Sequence, residues 1–145
     1  MITILVNKFI LHFVDYFFFV FHTVLTLFNV FGWIIPRWRL ANLITLSLTA
    51  FSWFVLGIWY GFGYCPFTDW HWKVRQLLGY TDDSNSYIHF LILKTTGINF
   101  SENFVDTATV IVFFTAFFIS IYFALRKKKK NHSKVKKIIA TKIQE

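Results

Sequence analysis

The sequence predicts an all-α integral membrane protein with three transmembrane helices and short interfacial helices in the loop between the second and third. Three observations carry that prediction. First, 56% of the 145 residues are hydrophobic and 22% aromatic, against 15% charged. A soluble domain this short exposes too much of its surface to hide that much apolar area. Second, the apolar residues fall into three long runs, over about residues 9–35, 41–63 and 106–125. Each is near the roughly 20 residues that a helix needs to cross the hydrocarbon core. Third, the formal net charge of +8 is concentrated at one end. Arg126, Lys127, Lys128, Lys129, Lys130, Lys134, Lys136, Lys137 and Lys142 all follow the last apolar run. In that position a basic tail reads as a cytoplasmic anchor and not as a nucleic-acid arm.

The first run lies between Lys8 and Arg37. It is too long for a secretory signal, contains Asp15 and lacks a small-residue cleavage site, so it reads as an uncleaved transmembrane helix. Along it His12, Asp15, Phe19, His22, Thr26, Asn29 and Trp33 recur in alternating steps of three and four. At the helical period they share one stripe, with Thr23 at its edge. Polar groups in hydrocarbon need partners, so this stripe is expected to face other helices or water. Asp15 and His22 stand out because ionisable residues at membrane depth are functional suspects. His12 is expected to be solvated near the interface.

Pro36-Arg37-Trp38-Arg39 is too short a link for anything but an antiparallel hairpin. The second run repeats the spacing with Asn42, Thr45, Thr49, Ser52, Leu56, Trp59 and Gly63. Ser47 lies opposite, where a serine can bond its own helix backbone. Two heptad-like stripes predict left-handed packing of the first two helices, stripe against stripe.

Composition changes at Gly61-Phe-Gly-Tyr-Cys-Pro. Pro66 suits a first helical turn, Thr68 or Asp69 is a candidate cap, and Gly79 is a helix stop. Trp70, Val74, Leu77 and Leu78 share one face of the intervening helix, and Lys73, Arg75 and Gln76 another. That pattern predicts an amphipathic helix lying on the membrane surface. Thr81-Asp-Asp-Ser-Asn-Ser reads as a loop capping a second short helix from Tyr87 to about Thr95.

The third run, Asp106 to Leu125, is a third spanning helix with a faint small-residue face at Thr109, Ala116 and Ser120. Beyond it the tail is expected to be solvated, with a short surface helix carrying Val135, Ile138, Ile139 and Ile143. Residues 1–126 therefore form one transmembrane domain with an extracytoplasmic loop at 64–105, and 127–145 a basic cytoplasmic tail. The positive-inside rule puts the tail, Arg37 and Arg39 in the cytoplasm and the N-terminus outside, in the cell inner (plasma) membrane. Lys73, Arg75 and Lys94 oppose this mildly, but Asp69, Asp82, Asp83 and Glu102 accompany them.

Three chemistries are conceivable for the outer half, which collects His12, Asp15, His22, Cys65, Asp69 and His71. Haem needs two axial ligands at matching depth, and the second and third runs hold no histidine; no cofactor is expected. A metal ion could draw on His12, Asp15, Cys65 and His71. His22 lies about 10 Å along the helix from Asp15, too far to share an ion held by bonds of about 2 Å. Cys65, the single cysteine, would sit at a helix N-terminus, a setting that activates thiols as nucleophiles, but it has no second cysteine with which to form a disulfide.

The chain also resembles a family of small bacterial inner-membrane proteins of uncharacterised function. The resemblance runs roughly from His22 to Leu93. It rests on His22 with Gly32, on Arg37-Trp38-Arg39, and above all on Cys65-Pro66-Phe67-Thr68 with Arg75 shortly after, and Asp69 joins these as a candidate loop-motif residue. Family members commonly carry an acidic residue where this chain has His71. The resemblance implies a membrane fold and no established chemistry.

No Ser-His-Asp set, phosphate loop or nucleotide fingerprint is present. The functional reading is a structural, accessory or partner-binding membrane protein. Its partners would be the bilayer, other membrane proteins or further copies of itself, and not nucleic acid. The alternative is a membrane-embedded metal, redox or proton-handling protein using His22, Asp15 and Cys65.

Overall fold

The computed structural model describes residues 2–81, 84 and 86–143, with side chains described for 8–81, 84, 86–126 and 139. Asp82, Asp83 and the side chains of Val135, Ile138 and Ile143 lie outside the described residues. Helix α1 spans Ile2–Phe31 and ends in a 3-10 turn, Gly32–Ile34. It starts well before the apolar run does. Ile35, at φ −88° and ψ 114°, is extended, as expected of a residue before proline. A tight turn through Pro36 then delivers α2, Arg39–Phe51.

α2 does not continue as a plain α-helix. A π turn, Ser52–Leu56, joins it to α3, Gly57–Tyr60. A π turn holds one residue more than an α turn, so everything beyond it is rotated by about 100°. This explains where the predicted stripe fails. Asn42, Thr45, Thr49 and Ser52 face neighbouring elements, but Trp59 is 70% exposed. Gly61 and Gly63, both at positive φ, then reverse the chain. Only glycine takes that backbone without strain.

Helix α4, Pro66–Leu77, begins with Cys65 as its extended N-cap and Pro66 in its first turn. No side chain caps it; Thr68 Oγ1 donates to the Cys65 carbonyl at 2.7 Å instead. The expected orientation of this helix is wrong. It lies along the first half of α1, running back toward the start of that helix. Trp70 and Leu77 are exposed, and His71 and Arg75 are buried. The reason is a polar partner: Asp15 on α1 accepts from both His71 and the Arg75 guanidinium.

Helix α5, Tyr87–Thr96, is capped by Ser86, which accepts from the His89 amide, as expected. Gly97 closes it in the left-handed conformation. Helix α6 runs unbroken over Glu102–Ile143, so the tail begins as a direct continuation of the third apolar run.

Three helices are long and apolar enough to cross a membrane: Lys8–Ile34, Arg39–Tyr60 and Glu102–Arg126. Two cores hold the fold. One joins α2 to α6 through Leu46, Phe113 and Ala116, with Trp33 and Trp53 against them. The other joins α5 to α1 and α4 through Tyr87, Phe90 and Leu91, with Phe19 and Trp72. α1 thus divides its stripe. Its second half meets α2, as the paired stripes predict, and its first half serves α4 and α5.

Candidate functional site

Where α1, α4 and α5 meet, the upper core encloses a polar cluster. His71 is wholly buried. Its Nε2 lies 2.8 Å from Asp15 Oδ1, and its Nδ1 lies 2.5 Å from the Tyr87 hydroxyl. Arg75, one turn along α4, donates to the same Asp15 oxygen at 3.0 Å. An oxygen already accepting from a guanidinium accepts from His71 too, so Nε2 carries the proton. Nδ1 then takes the hydrogen bond that Tyr87 donates.

Aromatic rings wall this cluster. Phe18 stacks on His71 at 5.7 Å. The Arg75 guanidinium lies 4.5 Å from the Tyr80 ring centre and 4.7 Å from that of Phe90. Burial first, and then the Asp15 charge, push the Tyr87 phenol above its ordinary range. Tyr87 is therefore held as a neutral donor. The Asp15 carboxylate keeps 18% of its side chain exposed, so the cluster has one edge open to the surroundings.

His22 is the neighbour below. Its ring centre lies 4.6 Å from that of Tyr87, and its Nε2 lies 3.8 Å from Cys65 Sγ. Asp69, one turn into α4, pairs with Lys73 at 2.8 Å, and this bond raises the Lys73 ammonium above its usual value. Both side chains are solvent-exposed, and such pairs add little stability. Pro66 serves to start the helix.

The residues considered for a metal ion do not assemble as a set. Asp15 and His71 meet, Cys65 faces His22, and His12 packs by its ring edge against Tyr80. Among the described residues, no group of three or more His, Cys, Asp or Glu side chains could hold an ion.

The remaining stripe residues work as clasps. Asn29 donates to Thr49 Oγ1 at 3.2 Å. Asn42, fully buried, donates to the carbonyls of Phe28 and Asn29 and accepts from Ser120. Thr45 and Thr49 also bond their own helix backbone. Ser52 closes the π turn by donating to the Tyr64 carbonyl at 2.6 Å. Thr26 is half-buried between His22 and Asn29 on the same face.

Sequence reasoning missed a second polar cluster. Ser86 donates to Asp106. His89 lies 2.8 Å from Ser84 Oγ, 3.0 Å from Asn99 Oδ1 and 3.8 Å from Glu102. Together they fasten α5 to the start of α6. Tyr87 and His89 were hidden because a short apolar helix normally turns its aromatics inward for packing alone. The one available signal was the serine cap that fixes where that helix starts.

The profile of one protein family matches residues 12–125, which is most of the chain and includes both clusters. The chain belongs to DUF2784. That family is described as proteins of unknown function. No curated protein matches the chain, and no solved structure does. Membership in DUF2784 accordingly brings no reaction with it, and chemistry has to be argued from the cluster.

Proposed function

We propose that this chain is a plasma-membrane protein that crosses the bilayer three times and handles protons at its outer face. The observation that carries the reading is His71, buried with both ring nitrogens engaged, one by a carboxylate and one by a phenol. A lock between α1 and α4 could be made from apolar side chains at lower desolvation cost. A hydrogen-bonded chain of three ionisable groups does what apolar packing cannot. A proton taken up by Asp15 changes the charge facing Arg75 and His71 Nε2, and through the imidazole the Tyr87 hydroxyl, without any side chain leaving its place. Asp15, at the open edge, exchanges that proton with the outside.

The membrane placement has its own support. The Arg39 guanidinium lies 3.8 Å from the ring centre of Phe123, so the basic link and the basic end of α6 lie at one end of the molecule. By the positive-inside rule that end is cytoplasmic, with the N-terminus and the polar cluster outside. A reporter fused after Tyr80 should be active only in its extracytoplasmic form. Cytoplasmic activity would overturn the orientation.

Infrared difference spectroscopy tests the proton reading. In difference spectra recorded across a pH series, a carboxyl band and an imidazole band should change together. Asp15→Asn should remove both changes. Bands that stay flat, or that survive this substitution, would defeat the proposal.

The second reading is an accessory or partner-binding protein, alone or as a homo-oligomer. It is favoured by the clasps at Asn29, Asn42 and Ser52, whose hydrogen bonds join one element of the fold to another. Mass spectrometry of proteins co-purifying in mild detergent tests this reading. A stoichiometric partner that is lost on Ser52→Leu would favour it.

A further inference from the structure

We propose that Cys65 and His22 form a thiol–imidazole pair that accepts an acyl group from an apolar ester. The pair adjoins the Asp15–His71–Tyr87 cluster, with the His22 ring 4.6 Å from that of Tyr87, and uses different atoms. Its geometry is direct: Sγ lies 3.8 Å from Nε2, a loose contact of the kind that tightens when a reaction begins. His22 is 5% exposed, and apart from the thiol it has no hydrogen-bond partner, so its Nδ1 is buried and unsatisfied. Buried histidines kept for structure have both nitrogens satisfied, as His71 does. His22 thus keeps hydrogen-bonding capacity at Nδ1 that the described residues do not use, while Nε2 faces the thiol.

Cys65 is also the N-cap of a twelve-residue helix. Pro66 has no N–H, so the first amide of α4 is that of Phe67. The amides of Thr68 and Asp69 both bond back to the Cys65 carbonyl. The positive end of α4 therefore lies beside the sulfur, near the substrate oxygen on which the negative charge of a tetrahedral intermediate would build.

The surroundings select the substrate class. Phe62, Phe67 and Trp70 are exposed around Cys65 in the chain. Phe67 contacts Phe21 at 5.3 Å and Trp70 at 5.6 Å. Phe21 in turn lies 5.9 Å from the His22 ring, so apolar rings run from the imidazole to the first turns of α4, a surface that suits a fatty acyl ester better than a polar one.

In the step, the thiol proton passes to His22 Nε2 and sulfur attacks the ester carbonyl carbon. The carbon–oxygen bond to the leaving group breaks, and Nε2 returns the proton to that oxygen. The products are a Cys65 thioester and an alcohol; nothing is oxidised or reduced.

The test uses the full chain in detergent micelles with p-nitrophenyl decanoate as the probe. A burst of one p-nitrophenol per chain is expected, with one decanoyl group mapped to Cys65 by mass spectrometry. The burst should be at least about 100-fold faster than acylation of N-acetylcysteine in the same micelles, and His22→Gln should remove most of that advantage, the usual range for a positioned base. p-Nitrophenyl acetate should react with no comparable advantage. A wild-type rate no greater than that of the free thiol, or a label on lysine, would overturn the proposal; neither depends on how a variant folds. So would an unchanged rate in His22→Gln chains whose circular dichroism matches the wild type.

Discussion

Ser120 on α6 donates its hydroxyl proton to Asn42 Oδ1 on α2, joining two residues 78 positions apart, both fully buried. The same asparagine reaches back with its amide to the carbonyls of Phe28 and Asn29. One side chain thus ties the end of α1, the start of α2 and the middle of α6.

Replacing that side chain should be costly. Interhelical hydrogen bonds in membranes average about 0.6 kcal/mol, and a buried group stranded without a partner costs about 1–3 kcal/mol. Asn42→Leu is therefore expected to destabilise the fold by about 2 kcal/mol, read as a lower midpoint in detergent denaturation. Ser47→Leu should be nearly neutral, since Ser47 is exposed and bonds only the Leu43 carbonyl.

Gly32 provides an independent check on the same junction. A Cβ placed there would lie 2.9 Å from Asn42 Nδ2 and 3.1 Å from both Asn42 Cβ and Cγ. Asn42 cannot swing aside without giving up its three partners. Gly32→Ala should cost about 1–3 kcal/mol, the usual range for overpacking. Combined with Asn42→Ala it should cost less than the sum of the two, as thermal unfolding of the double variant would show.

Asp15 and Arg75 should be strongly coupled. Their side chains are 18% and 9% exposed, so solvent screens them weakly. Asp15→Asn removes a carboxylate that both Arg75 and His71 bond and is expected to cost about 2–3 kcal/mol. In a double-mutant cycle with Arg75→Gln, the coupling should exceed about 1 kcal/mol. A value near zero would mean that α4 is held by its rings alone.

Tyr87 predicts an alkaline limit. In an unfolded chain its phenol ionises near 10.0, and in the fold burial, followed by Asp15, raises that value. The folded state thus holds this proton more tightly. Its contribution is complete below pH 10 and is lost as pH climbs from there toward the raised value. Stability should fall above pH 10 by up to about 1.4 kcal/mol per pH unit from this group. Subtracting the Tyr87→Phe curve isolates it from Lys73 and Tyr64, whose raised values act in the same alkaline range.

These sites were unequally readable in the sequence. The apolar runs announce three helices, and the three–four spacing of Asn29 and Thr49 puts them on facing stripes, where they do bond. Local pattern alone decides such features. Arg75 was expected on the outward polar face, and His71 was given no face, because a hydrophobic pattern sends Trp70 and Leu77 inward and charges outward. What reverses this is a carboxylate 56 and 60 positions away, and periodicity holds no information about that. The π turn at Ser52–Leu56 likewise has no residue signature, so the stripe ran on past it to Trp59. Glu102 and Asp106 were counted only as loop charges or as a helix start. Their partners, His89 and Ser86, are brought near by the fold of α5.

The continuity of α6 has a mechanical consequence. At about 1.5 Å per residue, its 42 residues make a rod of roughly 63 Å with no proline or glycine at which to bend. A torque applied at the lysine-rich end would be delivered along the shaft to Ser120, and beyond it to Asp106 and Glu102. Whatever grips the tail therefore has a lever on the opposite extremity of the molecule.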